Sequence, residues 1–153
     1  MTEAKRSITA EDLLTLQAVG DVQIAPDGAQ VAFVRTVTDA EKNKYKSEIW
    51  LVPVDGSRPP KQFTGGKAIA SSPRWSPDGT QIAFVSDRQD EAAQVFLIPA
   101  DGGEALALTA LEPGGVRGLH WSPDGSQIAF LYRATPAEYV KKTVEERKEK
   151  GLS

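Results

Sequence analysis

Apolar residues along this chain fall in short alternating runs, and the runs recur. The clearest is Trp75-Ser76-Pro77-Asp78-Gly79-Thr80-Gln81-Ile82-Ala83-Phe84-Val85, which returns as Trp121-Ser122-Pro123-Asp124-Gly125-Ser126-Gln127-Ile128-Ala129-Phe130-Leu131. A looser copy stands earlier, Ile24-Ala25-Pro26-Asp27-Gly28-Ala29-Gln30-Val31-Ala32-Phe33-Val34. The prolines lie at 26, 77 and 123, spaced by 51 and 46 residues, a period in the range of stacked or radially arranged repeats. Pro-Asp-Gly between two apolar runs predicts a tight turn. Proline presets φ, the aspartate side chain bonds to nearby backbone, and glycine accepts a positive φ at little cost. A period of two then puts Ile82, Phe84, Ile128 and Phe130 on one sheet face and Ala83, Val85, Ala129 and Leu131 on the other. With both faces apolar, such a sheet belongs between neighbours rather than against solvent. The small Ala83 and Ala129 predict close approach of the adjacent sheet.

A second phrase follows each of the first two hairpins. Ile49-Trp50-Leu51-Val52-Pro53-Val54-Asp55-Gly56 matches Val95-Phe96-Leu97-Ile98-Pro99-Ala100-Asp101-Gly102, and Phe63-Thr64 and Leu108-Thr109 close the units. Each unit thus predicts four short strands, the composition of one propeller blade. The expected fold class is all-β, a partial β-propeller of four-stranded antiparallel blades. Residues 1–21 read as a lead-in and helix, 22–64 as blade 1, 65–109 as blade 2, 110–134 as the first hairpin of blade 3, and 135–153 as a charged helix inserted into it. That is about two and a half blades, where closed propellers have about four to eight. Apolar faces and strand edges would be left open. A fragment of a longer protein is the expectation, with self-association through open blade edges as the other route.

The two ends are read from capping chemistry. Ile8–Leu16 predicts a short helix with Thr9 as N-cap and Asp12 three residues on, ended by Gly20-Asp21. Leu13, Leu16 and Gln17 give it a modest apolar edge, as for a helix that docks on something else. Thr135-Pro136-Ala137-Glu138 predicts a second start, with threonine as cap, proline at the first helical position and glutamate closing a capping box. Pairs Glu138–Lys142 and Glu146–Lys150 would support it. Between the second and third strands of blade 1, Thr38–Lys46 reads as a solvated charged connection, and Asp87–Glu91 as its counterpart in blade 2.

Composition narrows the function classes. Among 153 residues, 40% are hydrophobic and 25% charged, and the net charge is −3, with no basic footprint for nucleic acid. There is no cysteine, hence no disulfide or thiolate chemistry, as suits a reducing compartment. Residues 1–7 lack the apolar run of a secretory signal, and no window reaches membrane-spanning length. The default expectation is a soluble cytoplasmic protein.

Catalytic candidates are few. The one histidine, His120, aligns with Arg74 and Gln23 at a variable polar strand position and reads as structural. No Gly-x-Ser-x-Gly elbow occurs. Asp27, Asp78 and Asp124 lack the spaced oxygen ligands of a calcium loop and read as turn residues. Gly65-Gly66-Lys67 suggests a phosphate loop, but Ala68 replaces the Ser or Thr it needs and Lys61 stands at its first glycine. Trp75, Trp121 and Trp50 read as packing residues. No catalytic, cofactor-binding or metal-binding residue is assigned.

The Trp-Ser-Pro-Asp-Gly-x-x-Ile-Ala-Phe phrase at 75–84 and 121–130, with the Leu51-Val52-Pro53 and Leu97-Ile98-Pro99 strands and the closing Thr64 and Thr109, resembles blades of the prolyl oligopeptidase family. It is similar also to blades of the Tol-system propeller protein. Ile8-Thr9-Ala10-Glu11-Asp12-Leu13-Leu14, followed by Asp21-Val22-Gln23-Ile24, looks like the lead-in of the acylaminoacyl-peptidase branch. The resemblance covers nearly the whole chain. It implies a propeller capping an α/β-hydrolase domain of the same parent chain, a serine peptidase whose propeller admits only short, N-acylated peptides. No residue here matches the motifs of the serine, aspartate and histidine of that domain, so this chain alone is expected to be inert. The alternative implied by the Tol likeness is a non-enzymatic propeller scaffold for protein binding.

Overall fold

The structure, a computed structural model, describes residues 7–65, 68–89 and 92–140, with Glu145 and Glu149 beyond them. The described residues form ten strands: β1 (Gln17–Ile24), β2 (Gln30–Asp39), β3 (Lys44–Pro53), β4 (Lys61–Gln62), β5 (Ala70–Trp75), β6 (Gln81–Ser86), β7 (Gln94–Pro99), β8 (Leu106–Ala107), β9 (Gly114–Trp121) and β10 (Ile128–Ala134). They form two four-stranded sheets, β1-β2-β3-β4 and β5-β6-β7-β8, and a two-stranded sheet, β9-β10. All pairs are antiparallel. These are two blades and the opening hairpin of a third, the all-β partial propeller that the repeats predict.

The hydrophobic alternation decides how the blades stack. One face of blade 1 (Ala32, Val34, Ile49) packs on the opposite-parity face of blade 2 (Ala70, Ile82, Phe84, Phe96, Ile98) in one buried cluster. The other face of blade 2 (Ala83, Val95) packs on Leu119, with Val116, Trp121, Ile128 and Phe130 of blade 3 around it. Ala32 and Ala83 are fully buried at these contacts, where a longer side chain would hold the sheets apart. Within blade 2, Phe84 and Phe96 stack with centroids 5.7 Å apart, and the Arg88 guanidinium lies 4.9 and 5.0 Å over the two rings.

The short fourth strands are held by the threonines that follow them. Thr64 Oγ1 accepts the Ile49 N–H at 2.9 Å, and Thr109 Oγ1 accepts the Val95 N–H at 3.0 Å. A two-residue strand cannot hold its register by ladder bonds alone, so each hydroxyl extends the ladder by one rung.

Four sequence expectations are revised. β1 starts at Gln17, so strand begins five residues before the expected Val22 and runs through Gly20-Asp21, which do not end a helix. The helix before it is a 3-10 helix, Ala10–Thr15, at whose start Asp12 accepts the Thr9 N–H at 2.8 Å. Strands β2 and β3 invade the Thr38–Lys46 connection until only 40–43 are left as turn. At Thr135 the backbone N–H donates to Pro113 O at 2.8 Å, which prolongs the β9–β10 pairing. The N-cap therefore moves to Pro136 without a side-chain cap, and the 3-10 turn Ala137–Tyr139 ends at an extended Val140. Glu145 and Glu149 are helical; the pairs with Lys142 and Lys150 lie outside the described residues.

Candidate functional site

The three Pro-Asp-Gly turns share one geometry. The N–H groups of Gly28, Gly79 and Gly125 donate to the carbonyls of Ala25, Ser76 and Ser122 at 2.9 Å, with φ of 72, 72 and 71°. Each glycine occupies the last turn position, where the chain must adopt the left-handed conformation to re-enter the sheet. The aspartates act inside their turns. Asp27 accepts the Ala29 N–H at 2.9 Å. Asp78 accepts Ser76 Oγ–H at 2.6 Å and both the N–H and the hydroxyl of Thr80. Asp124 takes the same set from Ser122 and Ser126. The serine hydroxyls, followed by the backbone and side-chain donors two residues on, hold the Asp78 carboxyl below its usual range and bring Asp124 down to about 2.

Sequence reading missed a second repeated device, in the first strand of each blade. Asp21, Ser72 and Gly118 have φ of 45, 56 and 65°, and they are spaced by the same 51 and 46 residues as the prolines. Each opens a β-bulge in which two residues oppose one phenylalanine of the neighbouring strand: 21–22 against Phe33, 72–73 against Phe84, and 118–119 against Phe130. Such bulges sharpen twist and re-aim the next side chain. The residues they re-aim are Gln23, Arg74 and His120, the set aligned from sequence.

These first strands are where the blades converge. β1 lies against β5 and β5 against β9, whereas β4 and β8 do not approach each other in that way. The outer strands splay, and a groove of about 650 Å³ opens between blades 1 and 2, lined by Leu51, Pro53, Pro59, Lys61, Phe63 and Asp101 among others. At the converging side the contacts are polar. Arg74 Nη1 donates to Asp21 Oδ1 at 2.7 Å across the blade boundary and to its neighbour's Pro73 O at 2.7 Å. Gln23 Nε2 donates to the same Asp21 oxygen at 3.2 Å. His120 sits exposed on β9 opposite Ala129.

The tryptophans bolt this side together. Trp75 Nε1–H donates to Gln23 O at 3.2 Å, and Trp121 Nε1–H donates to Arg74 O at 3.0 Å. In both, the tryptophan of one blade reaches the carbonyl of the re-aimed residue in the blade before. Trp50 differs. It is half-buried on the outward face of blade 1 with Arg35 stacked 4.8 Å above it, whereas its counterpart Phe96 is fully buried between blades. It is thus outside both buried interblade clusters, unlike the packing role read for it from the sequence.

Chemically, this is a polar lining on a rigid frame. Among the described residues no group of three His, Cys, Asp or Glu side chains could hold a metal ion. Of the Gly65-Gly66-Lys67 stretch, only Gly65 is among the described residues. No helix among them is long and apolar enough to cross a membrane.

With the blades and their spacing in place, comparison with known proteins is decisive. Residues 17–153 match the TolB beta propeller domain, and the match begins at the first residue of β1. The chain belongs to that family. Its relatives include the uncharacterized peptidase YuxL of Bacillus subtilis (strain 168), 44% identical over 94 residues, a match covering 60% of this chain and 14% of that protein. Dipeptidyl-peptidase 5 of Porphyromonas endodontalis is 35% identical over 85 residues, covering 56% of this chain and 12% of that one. Among solved structures, the acylaminoacyl peptidase of Pyrococcus horikoshii superposes with a TM-score of 0.60 at 27% identity, over 76% of this chain and 17% of that one. The chain therefore spans a small part of the length of the peptidases it matches, and that part is propeller.

Proposed function

We propose that this chain is a propeller segment of a serine peptidase of the acylaminoacyl-peptidase type. In the parent it walls the way to an α/β-hydrolase domain and restricts entry to short, N-acylated peptides. By itself it is catalytically inert and, in this reading, cytoplasmic. The observation that carries the proposal is the likeness to peptidases in both sequence and structure, at 44% and 27% identity. The geometry supports it: blades converge on a polar row (Asp21, Gln23, Arg74, His120) fit to line a passage. Leu13 and Leu14 of the 3-10 helix and Leu16 just after it are 59, 46 and 62% exposed, which suits docking on the hydrolase domain.

The test is an assay of this purified chain, and of the native polypeptide that carries it, on N-acylated dipeptides and on longer peptides. The expected result is no turnover by the chain. The native polypeptide, much heavier than 16.5 kDa, should cleave the short substrates only, and a serine-directed inhibitor should stop it. Inhibitor-resistant turnover by the chain alone would sink the reading. A heavier native species without activity would instead favour the non-enzymatic scaffold that the TolB family match suggests, and a native species of 16.5 kDa would favour self-association through the open blade edges.

A further inference from the structure

Five Asp-Gly pairs occur in the chain, at 27–28, 55–56, 78–79, 101–102 and 124–125, and all five aspartates are exposed. In such a pair the backbone nitrogen that follows can attack the aspartyl side chain, since glycine has no Cβ in the way. Attack requires the carboxyl carbon to swing onto that nitrogen. It also requires the neutral carboxyl, because only that form readily expels water. Four of the five side chains are tied down. The N–H two residues on, at Ala29, Ser57, Thr80 and Ser126, donates to the aspartate at 2.9, 2.9, 3.0 and 3.1 Å. Asp78 and Asp124 each hold two hydroxyls besides. The Ser57 N–H at Asp55, and the serine hydroxyls first at Asp78 and Asp124, keep those three carboxyls below the usual range and therefore ionised. Asp101 is the exception. Among the described residues no hydrogen bond or ion pair reaches its carboxylate. Gly102 and Gly103 that follow it have φ of 105 and 125°, whereas Gly56 in the matching turn of blade 1 has 69°. An added Cβ would meet nothing within 4 Å at either glycine, so the turn has room to rearrange.

We propose that Asp101 is a site of spontaneous covalent modification, in which aspartate converts to isoaspartate through a cyclic imide. The Gly102 nitrogen bonds to Asp101 Cγ, its proton and the carboxyl OH leave as one water molecule, and a five-membered ring closes. One water then opens the ring. Breaking the bond from nitrogen to Cγ restores aspartate. Breaking the bond from nitrogen to the main-chain carbonyl carbon leaves the chain running through Cβ and Cγ, with a free α-carboxylate. No oxidant or other reactant is consumed, and the mass is unchanged. In all five turns the glycine N–H is also bonded to the carbonyl three residues back, so that bond does not single out Asp101. It is longest at Gly56, 3.3 Å, which makes Asp55 the competing site. The extra backbone carbon lengthens the turn between β7 and β8 at the rim of the groove between blades 1 and 2, which Asp101 lines. The new α-carboxylate is the group that an isoaspartyl methyltransferase esterifies, so an enzyme of that class is the partner implied.

Ageing the purified chain at neutral pH and physiological temperature tests this, beside its own tryptic peptides under the same conditions. Cleavage after lysine and arginine leaves each Asp-Gly pair on a separate peptide. Enzymatic methylation followed by peptide mapping locates the isoaspartate. In the folded chain it should accumulate at Asp101 about threefold to tenfold faster than at Asp27, the factor that one net hydrogen bond sets. Asp55, Asp78 and Asp124 should lag by at least as much. In the peptides, where no turn restrains the carboxyls, that lead should disappear. Ser122→Ala with Ser126→Ala removes both hydroxyl donors to Asp124 and leaves Pro123 and Gly125 to form the turn. Isoaspartate at Asp124 should then rise by about threefold or more, with the fold verified by circular dichroism. The proposal fails if the folded chain modifies the five pairs evenly, if Asp55 or any other pair leads, or if Asp101 leads equally in the peptides. It fails as well if Asp101 stays unmodified while its peptide reacts, or if the double variant leaves Asp124 unchanged. None of these failures bears on the peptidase assays.

Discussion

Blades 2 and 3 open with almost the same hairpin, yet the two copies live in different surroundings. Phe84 is fully buried and Val85 6% exposed, while Phe130 is half-buried and Leu131 67% exposed. Ala83 is fully buried and Ala129 exposed. The turns do not differ: both glycines sit near φ of 71–72° and both aspartates take the same donors. Local sequence therefore dictates turn and strand, while burial is conferred by the sheet laid on top. The energetic weight of a residue in this chain depends on its blade's neighbours more than on its own identity.

Core truncation should expose that difference most strongly. Phe84→Ala removes a ring from the buried cluster with Phe96, Ile82 and Ile49 and should cost about 3–5 kcal/mol in urea unfolding. Leu131→Ala, on the open face of the outer hairpin at the position equivalent to Val85, should stay within about 0.5 kcal/mol of wild type. Comparable losses at the two sites would mean that the outward face of blade 3 is covered in solution.

The tryptophan bolts sharpen the comparison by asking whether the two boundaries are equal. Trp75→Phe and Trp121→Phe keep an aromatic ring and delete the donors to Gln23 O and Arg74 O. Each should cost about 1 kcal/mol, a fall of about 2–4 °C in Tm for a chain of this size. A loss at one site only would show that the boundaries are not the same construction.

What the sequence disclosed follows the same division. Turn chemistry and period-two alternation placed the hairpins, the face assignments of Ile82 and Ala83, and the blade architecture, because each depends on residues within a few positions. The bulges at Asp21, Ser72 and Gly118 escaped. Left-handed backbone is a glycine signature at one of them, tolerable for aspartate at the second, and unexpected for serine at the third. Only their spacing, which equals that of the prolines, could have revealed them. The Thr135 capping box failed for a tertiary reason: its N–H was claimed by Pro113 O, and a weak local preference yields to sheet pairing. Trp50 was read as a packing residue like Trp75 and Trp121, but among the described residues no sheet covers its face of blade 1.

The smallest expected effect isolates the turns, where the two hairpins should behave alike. Ser122 Oγ–H donates to Asp124 at 2.6 Å and is the leading cause of its depressed pKa, with the Ser126 N–H and hydroxyl behind it. Ser76 stands in the same relation to Asp78. A carboxyl whose folded pKa lies below its unfolded value of about 3.9 stabilises the fold above that pH. The contribution is lost as pH falls through the folded value, here between about pH 4 and about 2 for Asp124. Since Asp124 is fully exposed to solvent, the consequence for overall stability is slight and the direct readout is carboxyl titration by NMR. Ser122→Ala should move the Asp124 midpoint up toward the ordinary value, and Ser76→Ala should move Asp78 the same way. If Asp124 titrates near 3.9 in the wild-type chain, the hydroxyl bond does not persist in solution. The turns would then be held by proline, glycine and backbone bonds alone.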